Sequence, residues 1–119
     1  MTDTYLAVFL GNQTSPRWKD WQAMSPADQQ AKAKEGIAAW HAWAQKHAGS
    51  IVEMGGPLGK TKKISAAGVA DISNEMGGFT LVRAASHEAA AKMFENHPHF
   101  AIFPGDRVEV MPVMPVPMG

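Results

Sequence analysis

The order of its elements constrains this chain more than any motif: β-type runs and two capped helical patterns follow one another as strand, helix, strand, strand, helix, strand. The first run, Tyr5 to Leu10, is apolar on both parities, with Tyr5, Ala7 and Phe9 pointing one way and Leu6, Val8 and Leu10 the other. Such a pattern predicts a strand buried on both faces. Ser25, Pro26 and Asp28 then supply a cap, a proline at the first helical position and an acidic group in the first turn, a combination that satisfies the free amides of a helix start. The helix runs to about His47-Ala48 and stops at Gly49; Ile37, Trp40 and Ala44 make its core stripe, and Lys32, Lys34, Glu35, Gln45 and Lys46 its wet side. Trp43, Trp18 and Trp21 fall off that stripe and suit a flap at a pocket mouth.

Ile51-Val52-Glu53-Met54 reads as a short strand entering the turn Gly55-Gly56-Pro57, and Gly78 to Ala84 as a clear strand. Ser86 caps a second helix that turns Ala89, Ala90, Met93 and Phe94 inward and ends at Asn96-His97-Pro98, because proline disfavours helical geometry in the residue before it. Arg107 to Val113 is the last strand, its prolines suiting a sheet edge. Ser15 to Met24 reads as a loop with a helical turn, and residues 60–76 as a loop with at most one short hairpin. Two β-α-β units in series predict an α+β split sandwich, with each pair of parallel strands separated by a third and both helices on one face. Left open to water, the other face would present an apolar patch on the order of several hundred Å², which soluble monomers rarely carry. A homodimer is the expectation; the alternative is that residues 60–76 and the tail fold across the face.

At 119 residues the chain is expected to be one domain, 1–119. Eleven basic residues balance eleven acidic ones, so no long-range field holds nucleic acid or an anionic membrane. The absence of cysteine excludes a disulfide framework, a thiolate zinc site and a thiol nucleophile. No basic leader or apolar span is visible, and the expected setting is cytoplasmic.

Gly55 to Thr61 resembles a phosphate loop, but the glycine required five residues before the Gly-Lys-Thr glycine is Met54. Nucleotide binding is rejected, and no cofactor or metal is expected. His41 and His47 are six apart on the long helix, the wrong spacing for a helical metal pair. His97 and His99, two apart in an extended corner, are the candidates for general acid or base, with Asp71 or Glu53 as the carboxylate that orients the substrate. The same position equally suits a histidine bonded to the last carbonyls of its helix. Glu53 and Arg83 lie on neighbouring strands, where they either orient a polar ligand group or form a salt bridge; Trp18 and Trp43 are the aromatic candidates for the pocket. Met111, Met114 and Met118 read as apolar contacts of the tail.

Taken together, the N-terminal strand, Gly55-Gly56-Pro57-Leu58, Gly77-Gly78-Phe79-Thr80-Leu81-Val82, the helix ending in His97-Pro98 and Val108-Glu109-Val110-Met111-Pro112 resemble a YCII-related (DGPF-type) domain. The resemblance implies a ferredoxin-like fold dimerising into an α+β barrel, with a pocket between helices and sheet. It also implies, for some members, a histidine-aspartate pair and in one case dehydrochlorination of a hydroxylated aromatic ring. The family's histidine stands after the first strand, where Gly11 to Met24 has none; Gly55 replaces the acidic residue of the Asp-Gly-Pro-Phe turn, and Leu58 its phenylalanine. His97 alone carries across. Two functions follow: a cofactor-free enzyme that eliminates or isomerises a small aromatic substrate through histidine, with Arg83 holding an anionic group, or a non-catalytic homodimer that binds a small molecule or another protein.

Overall fold

In the computed structural model, which describes residues 3–117, β1 (Asp3–Leu10) is the strand about which everything else is arranged. It lies inside a four-stranded sheet of order β2-β5-β1-β6, built with β2 (Ile51–Pro57), β5 (Met76–Ala84) and β6 (Arg107–Pro112). All neighbours are antiparallel. The helices α1 (Pro16–Ala23), α2 (Pro26–Lys46), α3 (His87–Lys92) and α4 (Pro98–Ala101) occupy the crossovers and their ends. This is the α+β split sandwich that the element order predicts.

Register explains the core. Tyr5, Ala7 and Phe9 stand opposite Val82, Thr80 and Gly78, and opposite Pro112, Val110 and Val108 on the other side, so this parity forms one apolar face. Trp43, Ala90 and Phe94 close over it, with Trp40, Ala44 and Met93 partly buried around them. The indole Nε1 of Trp43 donates to the Met93 carbonyl at 2.7 Å, which satisfies its polar atom inside the core.

Here the expected stripe of α2 holds at Trp40 and Ala44, which pack against the core, and fails at Ile37. Gly36 and Trp43 are the buried residues of the helix, and Ile37 is 53% exposed. A Cβ at Gly36 would lie 2.5 Å from the Phe103 ring, so the glycine lets that ring press against the helix backbone. Glycine adds nothing to a hydrophobicity pattern, so the apolar Ile37 beside it takes its place in the expected stripe. Trp43 is therefore core rather than flap.

Ser15 to Met24, expected as a loop with a helical turn, forms a full helix instead. Ser15 accepts from the Trp18 amide at 3.2 Å and Pro16 takes the first position, starting an eight-residue helix with no buried residue. Arg17 donates to the carbonyls of Phe100 and Phe103, and Gln29 donates to that of Trp21 at 2.7 Å. These bonds hold α1 against its neighbours.

The second helix is shorter than expected. α3 ends at Lys92, the chain turns through Asn96 at φ 56°, and His97 starts α4. The corner at His97 to Phe100 is thus a helix start and not an extended segment.

Residues 60–76 contain the one hairpin, β3 (Thr61–Ser65) with β4 (Gly68–Ile72), in a separate two-stranded sheet. Its Ile64 and Val69 face each other across the strands at 75% and 67% exposure. Among the described residues the hairpin strands and the tail from Val113 to Pro117 are largely exposed. The molecule is 57 × 43 × 19 Å, two layers thick, and its radius of gyration of 16.4 Å exceeds the about 13.5 Å usual for this length. On the open face Val8 and Leu10 are each 8% exposed, shielded by flanking strands.

The phase of α2 is testable. Trp43→Ala should lower stability by about 3–5 kcal/mol in urea denaturation, while Ile37→Ala stays within about 0.5 kcal/mol. Equal losses at both positions would contradict the packing.

Candidate functional site

Between α2 and the ends of β2 and β5 lies a cavity of about 560 Å³, bounded by Ile37, Trp40 and Ala44 above and by Gly55, Gly56, Gly77 and Gly78 below. The glycines explain why it exists. Gly56 and Pro57 stand opposite Phe79 and Gly78 in the β2 and β5 ladder, so several adjacent positions offer backbone where side chains would otherwise fill the space. Gly55 has φ +67°, and a Cβ there would strike the Phe79 carbonyl; only glycine fits. The hydroxyl of Thr80 donates to the Met54 carbonyl at 2.8 Å and fixes the irregular strand. Phe9 and Phe103 complete an aromatic lining.

A second cavity of about 720 Å³ adjoins it and shares Gly77, His99 and Phe103. Its wall is more polar than that of the first, with Asn12, Gln13, Asn74 and Glu75 alongside Trp18. His99 stands where the two meet.

The two histidines have different surroundings. His97 is fully buried, and its Nδ1 accepts the His99 backbone N–H at 3.0 Å, capping α4. An accepting Nδ1 carries a lone pair, so the proton of the neutral ring is on Nε2. That nitrogen has no hydrogen-bond partner among the described residues. The rings of Trp40 and Trp43 pack nearly edge-on at 4.4 and 4.8 Å, with Phe9 at 5.0 Å, so the imidazole is enclosed by aromatic side chains. Burial, reinforced by His99 and His47, lowers its pKa to about 3. His97 is a neutral packing and capping group at pH 7.

His99 is half-buried and donates Nε2–H to the Leu10 carbonyl at 2.8 Å. Since a carbonyl only accepts, this bond selects the tautomer. Burial lowers its pKa and nearby Arg17 adds to that, while backbone bonding at Leu10 and Arg107 and the charge of Asp106 oppose it. Its ring lies 5.4 Å from Phe9 and 6.5 Å from Trp40.

The other sequence candidates are dispersed. Asp71 is on the hairpin, 83% exposed and paired with Lys62 at 2.6 Å, so it is not brought to either histidine. Glu53 stands opposite Leu81 and Arg83 opposite Thr4; strand irregularities between Ile51 and Gly56 break the expected pairing. Both are exposed and outside the two cavities. Glu53 instead accepts from the Gly55 amide at 3.3 Å. Trp18 does reach a cavity, whereas Trp43 is sealed in the core. Trp40, expected to be core, lines the first cavity. Arg107 binds Glu109 and Asp106 at 2.7 Å and Glu75 at 3.2 Å, which raises its pKa and ties β6 to the start of β5. Among the described residues no group of three histidine or acidic side chains is placed to hold a metal ion, and no helix is long and apolar enough to cross a membrane.

No family model matches the chain, and no curated protein matches it. Among solved structures the chain is similar to 5-chloro-2-hydroxyhydroquinone dehydrochlorinase (TftG) from Burkholderia phenoliruptrix AC1100, determined in complex with 2,5-dihydroxybenzoquinone. The identity is 18% and the TM-score 0.50, over 91% of this chain and 90% of that one. At this identity the likeness shows the fold, and the resemblance to YCII-related domains rests on fold and short motifs.

The buried imidazole has a thermodynamic consequence. A histidine kept neutral in the fold takes up its proton on unfolding below pH 6.5, so stability is full above that pH and falls by up to about 1.4 kcal/mol per unit toward pH 3. His97→Asn retains a capping acceptor without the titrating ring. Urea midpoints should give this variant lower stability at pH 7 and a shallower loss between pH 6 and 4; parallel profiles would contradict the burial of a neutral His97.

Proposed function

We propose that this protein binds a small, flat, hydroxylated ring in the cavity beneath α2, and that His99 exchanges a proton with it in an elimination or isomerisation requiring no cofactor. The observation that carries the reading is the position of His99, its tautomer selected by Leu10, between an aromatic slot and a polar cavity. The lining suits ring stacking, and its only titratable side chains are His41 and His99. His97, fully buried, supports this site by starting α4. A fold shared with a protein that acts on a chlorinated hydroxyhydroquinone favours the same substrate class.

A non-catalytic ligand-binding module is the second reading. It is favoured by the polar cavity, whose Asn12, Asn74 and Glu75 are spent on bonds within the chain. No uncommitted acid then stands beside His99. In either reading two copies meet through the open sheet face, where Phe79, Leu81 and Met111 lie with Leu6 and Val8. The β3–β4 hairpin, marginal as an isolated pair of strands, gains support against the second copy.

Calorimetric titration with 2,5-dihydroxybenzoquinone tests the site. Ala44→Phe, which fills the slot from α2, should weaken binding at least about tenfold; unchanged binding would place the ligand elsewhere. Chloride release from 5-chloro-2-hydroxyhydroquinone separates the readings. The enzyme should lose about 10²–10⁴-fold in rate on His99→Gln while still binding the quinone, whereas absence of turnover by the unmodified protein supports the binding module. Sedimentation should give a particle of twice 12.8 kDa that Leu81→Glu reduces to one chain; a monomeric unmodified protein would contradict the shared face.

A further inference from the structure

The structure assigns Gly105 as a positioning residue for His99: its missing side chain leaves the space in which the imidazole reaches the Leu10 carbonyl. This deepens the reading of His99 as the proton-exchanging group and rests on it for any effect on catalysis. Gly105 is buried, and its backbone is outside the left-handed region, since the positive-φ glycines among the described residues are Gly55 and Gly68. Conformational freedom therefore does not explain the glycine. Space does. A Cβ at this position would fall within the van der Waals shells of Cε1 and Nε2 of His99 and of the His99 carbonyl oxygen. Two of those atoms belong to the ring edge that makes the tautomer-selecting bond.

The surrounding bonds fix both the backbone and the ring of His99. The Gly105 amide donates to the His99 carbonyl at 2.9 Å, and the Asp106 amide donates at 3.0 Å to the same Leu10 oxygen that receives Nε2–H. His99 is thus held twice, by its backbone to Gly105 and by its ring to Leu10, and both anchors converge on one tight turn. A methyl group at Gly105 cannot be absorbed by swinging a free side-chain end, because a backbone oxygen opposes it as well. The ring must leave Leu10 or the turn must open, and either releases Nε2.

Histidine ring ¹⁵N–¹H correlations on the full, ¹⁵N-labelled chain test this. In the unmodified protein His99 should show the Nε2–H tautomer with a retained Nε2 proton signal. Gly105→Ala should lose that proton signal and mix the tautomers. Gly49→Ala, whose Cβ meets nothing within 4 Å, should leave His99 unchanged. An Nδ1–H tautomer in the unmodified protein, or His99 signals in Gly105→Ala identical to it, would overturn the assignment. If Gly105→Ala fails to fold, Gly105→Ala/His99→Ala should recover part of the lost stability; no recovery would also overturn it. Binding of 2,5-dihydroxybenzoquinone distinguishes the two levels. A disturbed ring with binding and turnover intact keeps Gly105 in its role and removes His99 from the function, while an undisturbed ring beside a His99→Gln variant that has lost turnover does the reverse.

Discussion

One buried imidazole joins the layers of this protein to its groove. His97 accepts the amide that starts α4 and packs against Phe9 of β1, Trp40 and Trp43 of α2, and Phe94. A four-residue helix has no stability of its own, so α4 depends on that cap and on the cage around it. His99, two positions on, inherits its place from the same contact. The cost is an Nε2–H without a conventional partner, tolerated because the ring stays neutral.

The groove follows from subtraction as much as from packing. Four glycines at the ends of two antiparallel strands remove side chains beneath α2, and the aromatic residues that remain form a slot with little charge. Gly36 admits Phe103 to the same region from the helix side. At the edge of this low-polarity space His99 has its Nε2 occupied by the hydrogen bond to the Leu10 carbonyl.

The strand order and the helix from Pro26 were legible because period-two and capping signals are local. The full extent of the buried face of α2 was not. A buried glycine carries no hydrophobic weight, so Ile37 reads as core in place of Gly36, and Trp43, three residues from Trp40, reads as a flap at a pocket mouth. His97 and His99 stand out in the sequence by residue type, but the turn at Asn96 and the cap at His97, which give the two rings different surroundings, depend on the neighbouring elements. Asp71 and Arg83 were reasonable from their residue types and misplaced by topology: one rides an exposed hairpin and the other the far face of the sheet. The glycines of the floor were visible as a turn and a strand start. Only the register of β2 against β5 brings them together.

The central claim is that a flat ligand enters between Trp40 and the glycine floor and meets His99. Aromatic ¹³C and histidine ¹⁵N signals followed during titration with 2,5-dihydroxybenzoquinone test it most directly. Trp40, Phe103 and His99 should shift together, while Leu81 and Met111 on the opposite sheet face stay in place. Shifts confined to that face or to the hairpin, with Trp40 and His99 unmoved, would contradict it.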